Sequence, residues 1–161
     1  MAIDEKTFRQ AMRFWTTGVT VVTTTFEGNR HGMTVSSFTS VSAVPPVVLV
    51  SINRVARTHQ LMKQSGVFAV TVLEKSQQII SDKFAGLIPE EDDRFRGIET
   101  VMMVTGSPLI PGGVAYLDCK VINSIVVGNN TVFFGEVLDA KYQEDLKPLL
   151  YSNRSYKTLH K

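Results

Sequence analysis

Residues 31–54, HGMTVSSFTSVSAVPPVVLVSINR, read as two β-strands separated by the break at Pro45 and Pro46. The second half, Val47 to Ile52, is the apolar, β-branched run of a buried strand. The first half is different. Thr34, Ser36, Ser37, Thr39, Ser40 and Ser42 occupy positions where a core strand would carry Val and Ile. In one continuous strand Thr34, Ser36, Phe38 and Ser40 share a face, with Val35, Ser37, Thr39 and Val41 on the other. Hydroxyls on both faces make a poor dry core, because each one buried without a partner costs about 1–3 kcal/mol. Two readings stay open on this evidence. The strand is an edge turned to solvent, or it is one wall of a site that hydrogen-bonds a flat, polar-edged ring and a phosphate.

Downstream, SINRVART offers Ser51, Asn53, Arg54, Arg57 and Thr58 as the chain turns into a short helix ended by Gly66. A helix N-terminus beside an Arg and a Thr combines free backbone N–H groups with fixed positive charge, which suits a phosphate. A capped helix with solvated arginines is the plainer alternative. Upstream, VTVVTTTF (19–26) is a β-branched strand followed by the tight turn EGN. Before it, Asp4 caps a helix with Phe8, Ala11, Met12 and Trp15 on one face, ended by Gly18. Further along, VFAVTVL (67–73) is a strand, and SQQIISDKFAG from Ser76 is a helix with Ile79, Ile80 and Phe84 on one stripe. Residues 87–98, LIPEEDDRFRGI, predict an exposed polar loop. Strands return at about 114–127 and 131–139, joined as a hairpin at GNN, and a polar bend precedes PLLYSNRSY.

No repeat, low-complexity tract or linker divides the 161 residues, so a single domain is expected. Six or seven strands in adjacent pairs, with few helices, predict a mostly antiparallel sheet closed into a β-barrel. The strand–helix alternation of a doubly wound fold is missing.

Composition narrows the function. Hydrophobic residues make up 43% and charged residues 20%, as in a globular chain. Seventeen basic and fifteen acidic residues leave a net charge of +2, with no Lys/Arg run longer than two, so neither nucleic acid nor an acidic membrane is an expected partner. The opening MAIDEKTFRQAM puts Asp4 and Glu5 where a signal peptide carries positive charge before an apolar run, and no apolar stretch approaches the ~20 residues of a membrane span. The lone cysteine, Cys119, fits a reducing compartment and predicts a small buried residue, so a cytoplasmic location is expected. Neither G-x-G-x-x-G after a strand nor G-x-x-x-x-G-K-[ST] occurs, and no serine sits in G-x-S-x-G. His31, His59 and His160 lack ligand spacing, so no metal site is expected.

The segments FRQAMRFWTTGVTVVTT, HGMTVSSFTSVSAVPPVVLVSI, SGVFAVTVL, DKFAG and FFGEV resemble, in order and spacing, the motifs of the flavin reductase-like family. That family includes the short-chain reductase components of two-component flavin monooxygenases. The resemblance runs from Phe8 to about Tyr156. It implies a split β-barrel, a homodimer with flavin near the subunit interface, and NADH or NADPH as reductant. It also implies FMN or FAD, with FMN favoured by the compact Arg57/Thr58 turn, and a flavin-dependent oxygenase that receives reduced flavin by diffusion. Gly32, Met33 and Thr34, with Ser36 and Ser37, match the family's flavin-contacting strand. Ser51, Ile52 and Asn53 match the segment beside the ring and ribityl chain, and Arg57 and Thr58 match the phosphate-binding turn. Phe84 and Ala85 match the segment flanking the cofactor, and Tyr156 matches a C-terminal aromatic near the nicotinamide. Gly32 has a rationale of its own, since a missing Cβ lets a flat ring approach the backbone. One position departs. Asn130 stands in GNN where many members carry a histidine, in GDH, near the nicotinamide.

The expected activity is therefore an NAD(P)H:flavin oxidoreductase without a catalytic dyad, since hydride transfer asks the protein mainly for orientation and exclusion of water. A flavin-binding electron carrier and a redox-inert flavin store stay open as alternatives.

Overall fold

The hydroxyl-rich stretch is two strands, and the break between them organises the molecule. The computed structural model describes residues 2–89 and 93–160. In chain order these hold α1 (Glu5–Met12), β1 (Thr17–Gly18), β2 (Thr20–Phe26), β3 (Asn29–Val35), β4 (Phe38–Ala43), β5 (Pro46–Asn53) and α2 (Arg57–Ser65). They continue with β6 (Val67–Val72), α3 (Gln78–Phe84), β7 (Ala115–Val127), β8 (Asn130–Tyr142), β9 (Leu150–Ser152) and β10 (Ser155–Lys157). The structure is mostly β, with three helices among the described residues.

Seven strands form one antiparallel sheet in the order β3-β2-β6-β7-β8-β5-β4. Strands β3 and β4 follow each other in the chain yet lie on opposite edges. Only Ser36 and Ser37 link them, and three Cα steps from Val35 to Phe38 reach at most about 11 Å. The sheet must therefore curl until its edges nearly meet. No ladder joins β3 to β4 among the described residues, so the closed barrel expected from the sequence is instead a curled sheet with an open seam. One backbone bond approaches the seam, from Ser51 N to Ser37 O at 3.1 Å. The break also overturns the single alternation expected across residues 34–42, because Thr34 and Phe38 belong to different strands.

The core explains why β2 is β-branched without alternation. Val22 packs inside the curl with Val50, Ile52, Met62, Phe68 and Phe133, while Val19 and Val21 pack on the other side with Leu73, Phe84, Phe95 and Leu149. Both faces of β2 are covered, so both select apolar or small side chains. Gly66 ends α2 at φ +67°, the left-handed conformation a residue without Cβ takes freely. Cys119 lies fully buried on β7, and burial, with the Asp118 carboxylate, pushes its thiol up to about 12.

Three further expectations change. Helix α1 ends at Met12, not Gly18, and buries none of its residues. Thr17 and Gly18 form β1, which pairs with β9 in a second sheet, β1-β9-β10. The polar segment 87–98 is anchored where described, although residues 90–92 lie outside the described residues. Phe95 is buried, Arg30 pairs with Asp93 at 2.8 Å, and Arg94 Nη1 donates to Gly32 O at 3.0 Å. No described helix is long and apolar enough to cross a membrane.

Candidate functional site

The open seam leads into a groove. On one side a cavity of about 320 Å³ lies between Thr34 and Ser36 of the hydroxyl stretch, Asp82 and Ala85 of the α3 end, and Tyr151 and Tyr156 of the C-terminal hairpin. A second cavity of about 520 Å³ is lined by Ser36, Ser37, Phe38 and Ser51 together with Arg13, Trp15, Tyr151 and Arg154. Ser36, Tyr151 and Arg154 line both, so the two are halves of one depression. Ser36 and Ser37 belong to chain that has left both ladders, while Thr34 stays paired in β3 and Thr39, Ser40 and Ser42 in β4. This resolves the conflict posed by the sequence, since Thr34, Ser36, Ser37 and Thr39 line an open groove and Ser40 and Ser42 lie on an edge strand, none of them in a dry core.

Local hydrogen bonds hold this wall in place. Ser37 Oγ donates to Ser51 O at 2.6 Å, and Asn130 Nδ2 donates to Ser51 Oγ at 3.1 Å. Asn130 opens β8 opposite Asn53 of β5, so the position singled out near the nicotinamide is one hydrogen bond from the groove. At the other end Thr34 Oγ1 donates to Ser81 O at 2.7 Å. The Tyr156 phenol lies 2.6 Å from Asp82 Oδ1 and 2.8 Å from Ser81 Oγ. It has one proton, so it donates to the carboxylate and accepts from the serine. Burial, reinforced by the Asp82 bond, pushes the phenol up to about 12, so it is a neutral donor at physiological pH.

The remaining sequence candidates divide. Gly32, Ile52, Thr58 and Phe84 are buried and line neither half of the groove. A Cβ on Gly32 would stand 3.0 Å from the Phe84 ring and 2.9 Å from Thr23 Cγ2. The flat ring that approaches Gly32 is thus Phe84, which also packs edge-on to Phe95. Met33 packs partly buried against the inner core. The Thr58 hydroxyl, expected at a phosphate, is fully buried 2.8 Å from His31 Nδ1. Arg57, next to it, is exposed and has no hydrogen bond or ion pair among the described residues. Helix α2 begins at Ala56 without a side-chain cap, which leaves its first backbone N–H groups available. Asn53 caps the local turn, accepting from Val55 N at 3.1 Å, and lines a separate cavity of about 650 Å³ with Arg54, His59 and Lys63.

Sequence reasoning missed Arg13, Trp15, Asp82, Tyr151 and Arg154. Trp15, expected on a helix face, lies beyond the helix and is exposed. Tyr151 and Arg154 reach the groove because PLLYSNRSY folds as a hairpin, for which Asn153 between two short polar runs was the available signal. The assembled lining fits a flavin ring, with hydroxyls for its polar edge and aromatic faces for stacking, whereas Arg57 and α2 line neither half of the groove. When bound, such a group supplies the hydride chemistry, and the chain supplies binding, orientation and shielding from water.

The flavin reductase like domain family matches residues 12–160. The chain is 35% identical to "FMN reductase (NADH) RutF" of Pseudomonas syringae pv. syringae (strain B728a), across 96% of this chain and 86% of that protein. It is 38% identical to the reductase component of the FADH(2)-dependent resorcinol hydroxylase of Rhizobium sp. (strain MTP-10005), across 92% of this chain and 84% of that one. Among solved structures, NADH:FAD oxidoreductase SgcE6 of Streptomyces globisporus C-1027, in complex with NAD and FAD fragments, superposes with a TM-score of 0.90. That match is 34% identical and covers 99% of this chain and 97% of that one.

Proposed function

The chain belongs to the flavin reductase-like family, and from that premise we propose that it is an NAD(P)H-dependent flavin oxidoreductase that supplies reduced flavin to a partner monooxygenase. The observation that carries this reading is the hydroxyl-lined, aromatic-backed groove at the seam between β3 and β4. FMN is the flavin, with FAD as an alternative substrate, and NADH is the reductant, in keeping with the names of the relatives. In this account Ser36, Ser37 and Ser51 hydrogen-bond the ring edge, with Asn130 fixing the Ser51 hydroxyl. Arg57 and the free N–H groups of α2 take the phosphate, while the Thr58 hydroxyl stays with His31. Gly32, Met33, Ile52 and Phe84 shape the wall from behind, and Tyr156, near Ala85, presents a neutral phenol.

We further read the open seam as the split of a split β-barrel and the 161 residues as one domain acting in the cytoplasm. A homodimer covers apolar surface that the chain leaves exposed. The exposed side chains include Phe14 after α1 and Ile125, Val126 and Val127 on the outer half of β7. On β8, by contrast, Val132 and Phe134 are partly covered.

One observation favours a second reading. Asn130 replaces an imidazole, which would suit an FMN-binding electron carrier that takes electrons from a protein donor. Purified protein mixed with NADH and excess FMN in air discriminates them. Continuous NADH oxidation supports the reductase, and reduction only by a protein donor supports the carrier.

A further inference from the structure

The larger half of the groove carries positive charge that nothing in its lining balances. Arg13 and Arg154 both line it, and no Asp or Glu does. Arg154 is exposed, with no hydrogen bond or ion pair among the described residues. Its backbone is unusual as well: Asn153 and Arg154 are the two loop residues between β9 and β10, at φ +47° and +60°. Such two-residue loops favour Asn then Gly, because a β-carbon crowds the second position. An arginine there stands against local preference, and residues held that way concentrate where a ligand is gripped.

The turn is also tied to its neighbour. Arg13 Nη2 donates to Asn153 Oδ1 at 2.9 Å, and Asn153 N donates to Arg13 O at 2.6 Å. These bonds bring two guanidinium groups to the rim of one cavity. Arg13 Nε is buried and lacks a partner among the described residues. Beside them Trp15, Phe38 and Tyr151 offer flat apolar surface.

We propose that Arg13 and Arg154 form a clamp for the pyrophosphate of a dinucleotide, with one of its flat rings resting on the aromatic wall. This rests on the oxidoreductase reading above and extends it to the part of the ligand remote from the reacting atoms. Guanidinium forks match paired phosphate oxygens better than a point charge does. The dinucleotide is the nicotinamide co-substrate or FAD, which share this chemistry.

Arg154→Gly is the informative variant, since it removes the charge and suits the turn, so its melting temperature should equal or exceed wild type. NAD+ titrated calorimetrically into FMN-loaded protein, and FAD, FMN and riboflavin followed by fluorescence quenching, report binding without turnover. About tenfold weaker binding of one dinucleotide, the size of one lost charge-assisted contact, is expected in Arg154→Gly. FMN and riboflavin should be unchanged, Arg154→Lys should lose less, and the salt dependence of binding should flatten. Weakening confined to NAD+, with a matching rise in KM for NADH, identifies the nicotinamide dinucleotide; weakening confined to FAD identifies the flavin. Unchanged affinity for both, or a parallel loss for FMN and riboflavin, overturns the clamp. A wild type that binds a dinucleotide through Arg154 yet never oxidises NADH would retain the clamp and sink the oxidoreductase reading.

Discussion

The ring of Phe84 fills the space that a side chain on Gly32 would need, with Phe84 Cε1 3.0 Å and Cδ1 3.2 Å from the missing Cβ. Gly32 also gives its carbonyl to Arg94 Nη1, which donates to Phe84 O as well. A single guanidinium thus ties β3 to the end of α3 behind the groove. The glycine serves the packing of this wall, and through it the position of Thr34 and Ala85.

From this contact Gly32→Ala should overpack the wall and cost about 1–3 kcal/mol of stability, read as a lower urea midpoint. Adding Phe84→Leu should recover part of the loss. A Gly32→Ala protein as stable as wild type would show that Phe84 moves aside freely, and the packing role assigned to Gly32 would be wrong.

Arg57 and Thr58 adjoin each other yet should respond differently. Arg57→Ala should weaken FMN by one to two powers of ten, from about 1.5–3 kcal/mol of charge-assisted contact, and leave riboflavin nearly unchanged. Thr58→Val should instead lower stability by about 1–3 kcal/mol, because His31 Nδ1 loses its buried partner. Equal losses of FMN and riboflavin in Arg57→Ala would place its effect in folding.

The Tyr156 phenol is raised to about 12, above the ~10 of a free phenol. Its contribution to stability is therefore intact below about pH 10 and lost as pH rises through the folded value. Wild type should lose more stability than Tyr156→Phe between about pH 10 and about pH 12. The flavin reduction rate should show no tyrosine ionisation below about pH 10. A step in rate that Tyr156→Phe abolishes at lower pH would contradict the neutral-donor role.

Phe14 is 72% exposed, and the outer half of β7 adds Ile125, Val126 and Val127. Exposure of this kind argues for cover by a second copy. Sedimentation at micromolar concentration should give a dimer, and Val127→Asp should weaken it. A wild-type monomer would remove the homodimer from the account.

Asn130 retains hydrogen-bonding capacity toward Ser51 but cannot become cationic. Wild type should therefore bind NADH weakly and show no rate step from a histidine titrating near pH ~6.5. Asn130→His should lower the KM for NADH and introduce that step, with FMN affinity unchanged. A variant that alters FMN binding alone would mean the nicotinamide docks elsewhere.

How far the sequence carried can be traced through individual residues. The run Val47–Ile52, the helix ended by Gly66 and the hairpin at Gly128–Asn130 were legible because local patterning and turn chemistry specify them. The division at Ser36–Ser37 was not. Serine and threonine suit an edge strand, a link or a binding wall equally, and only the order of the whole sheet, with β3 and β4 on opposite edges, decides among them. Spacing found the apolar face of α1 but not that the chain leaves it uncovered. Residue type marked Thr58 as a phosphate ligand, whereas burial against His31 depends on how α2 docks on the sheet. The groove's Trp15, Tyr151 and Arg154 come from both ends of the chain, joined through β1 and β9, a pairing of two residues with no sequence signature.

The most direct test of the central claim is a single anaerobic turnover. FMN-loaded protein mixed rapidly with NADH should bleach the oxidised flavin band, with one NADH consumed per flavin reduced. Readmitted oxygen should restore the band, with the cycle repeating while NADH lasts. A flavin band that neither NADH nor NADPH bleaches, in protein that demonstrably holds FMN, would contradict the oxidoreductase account.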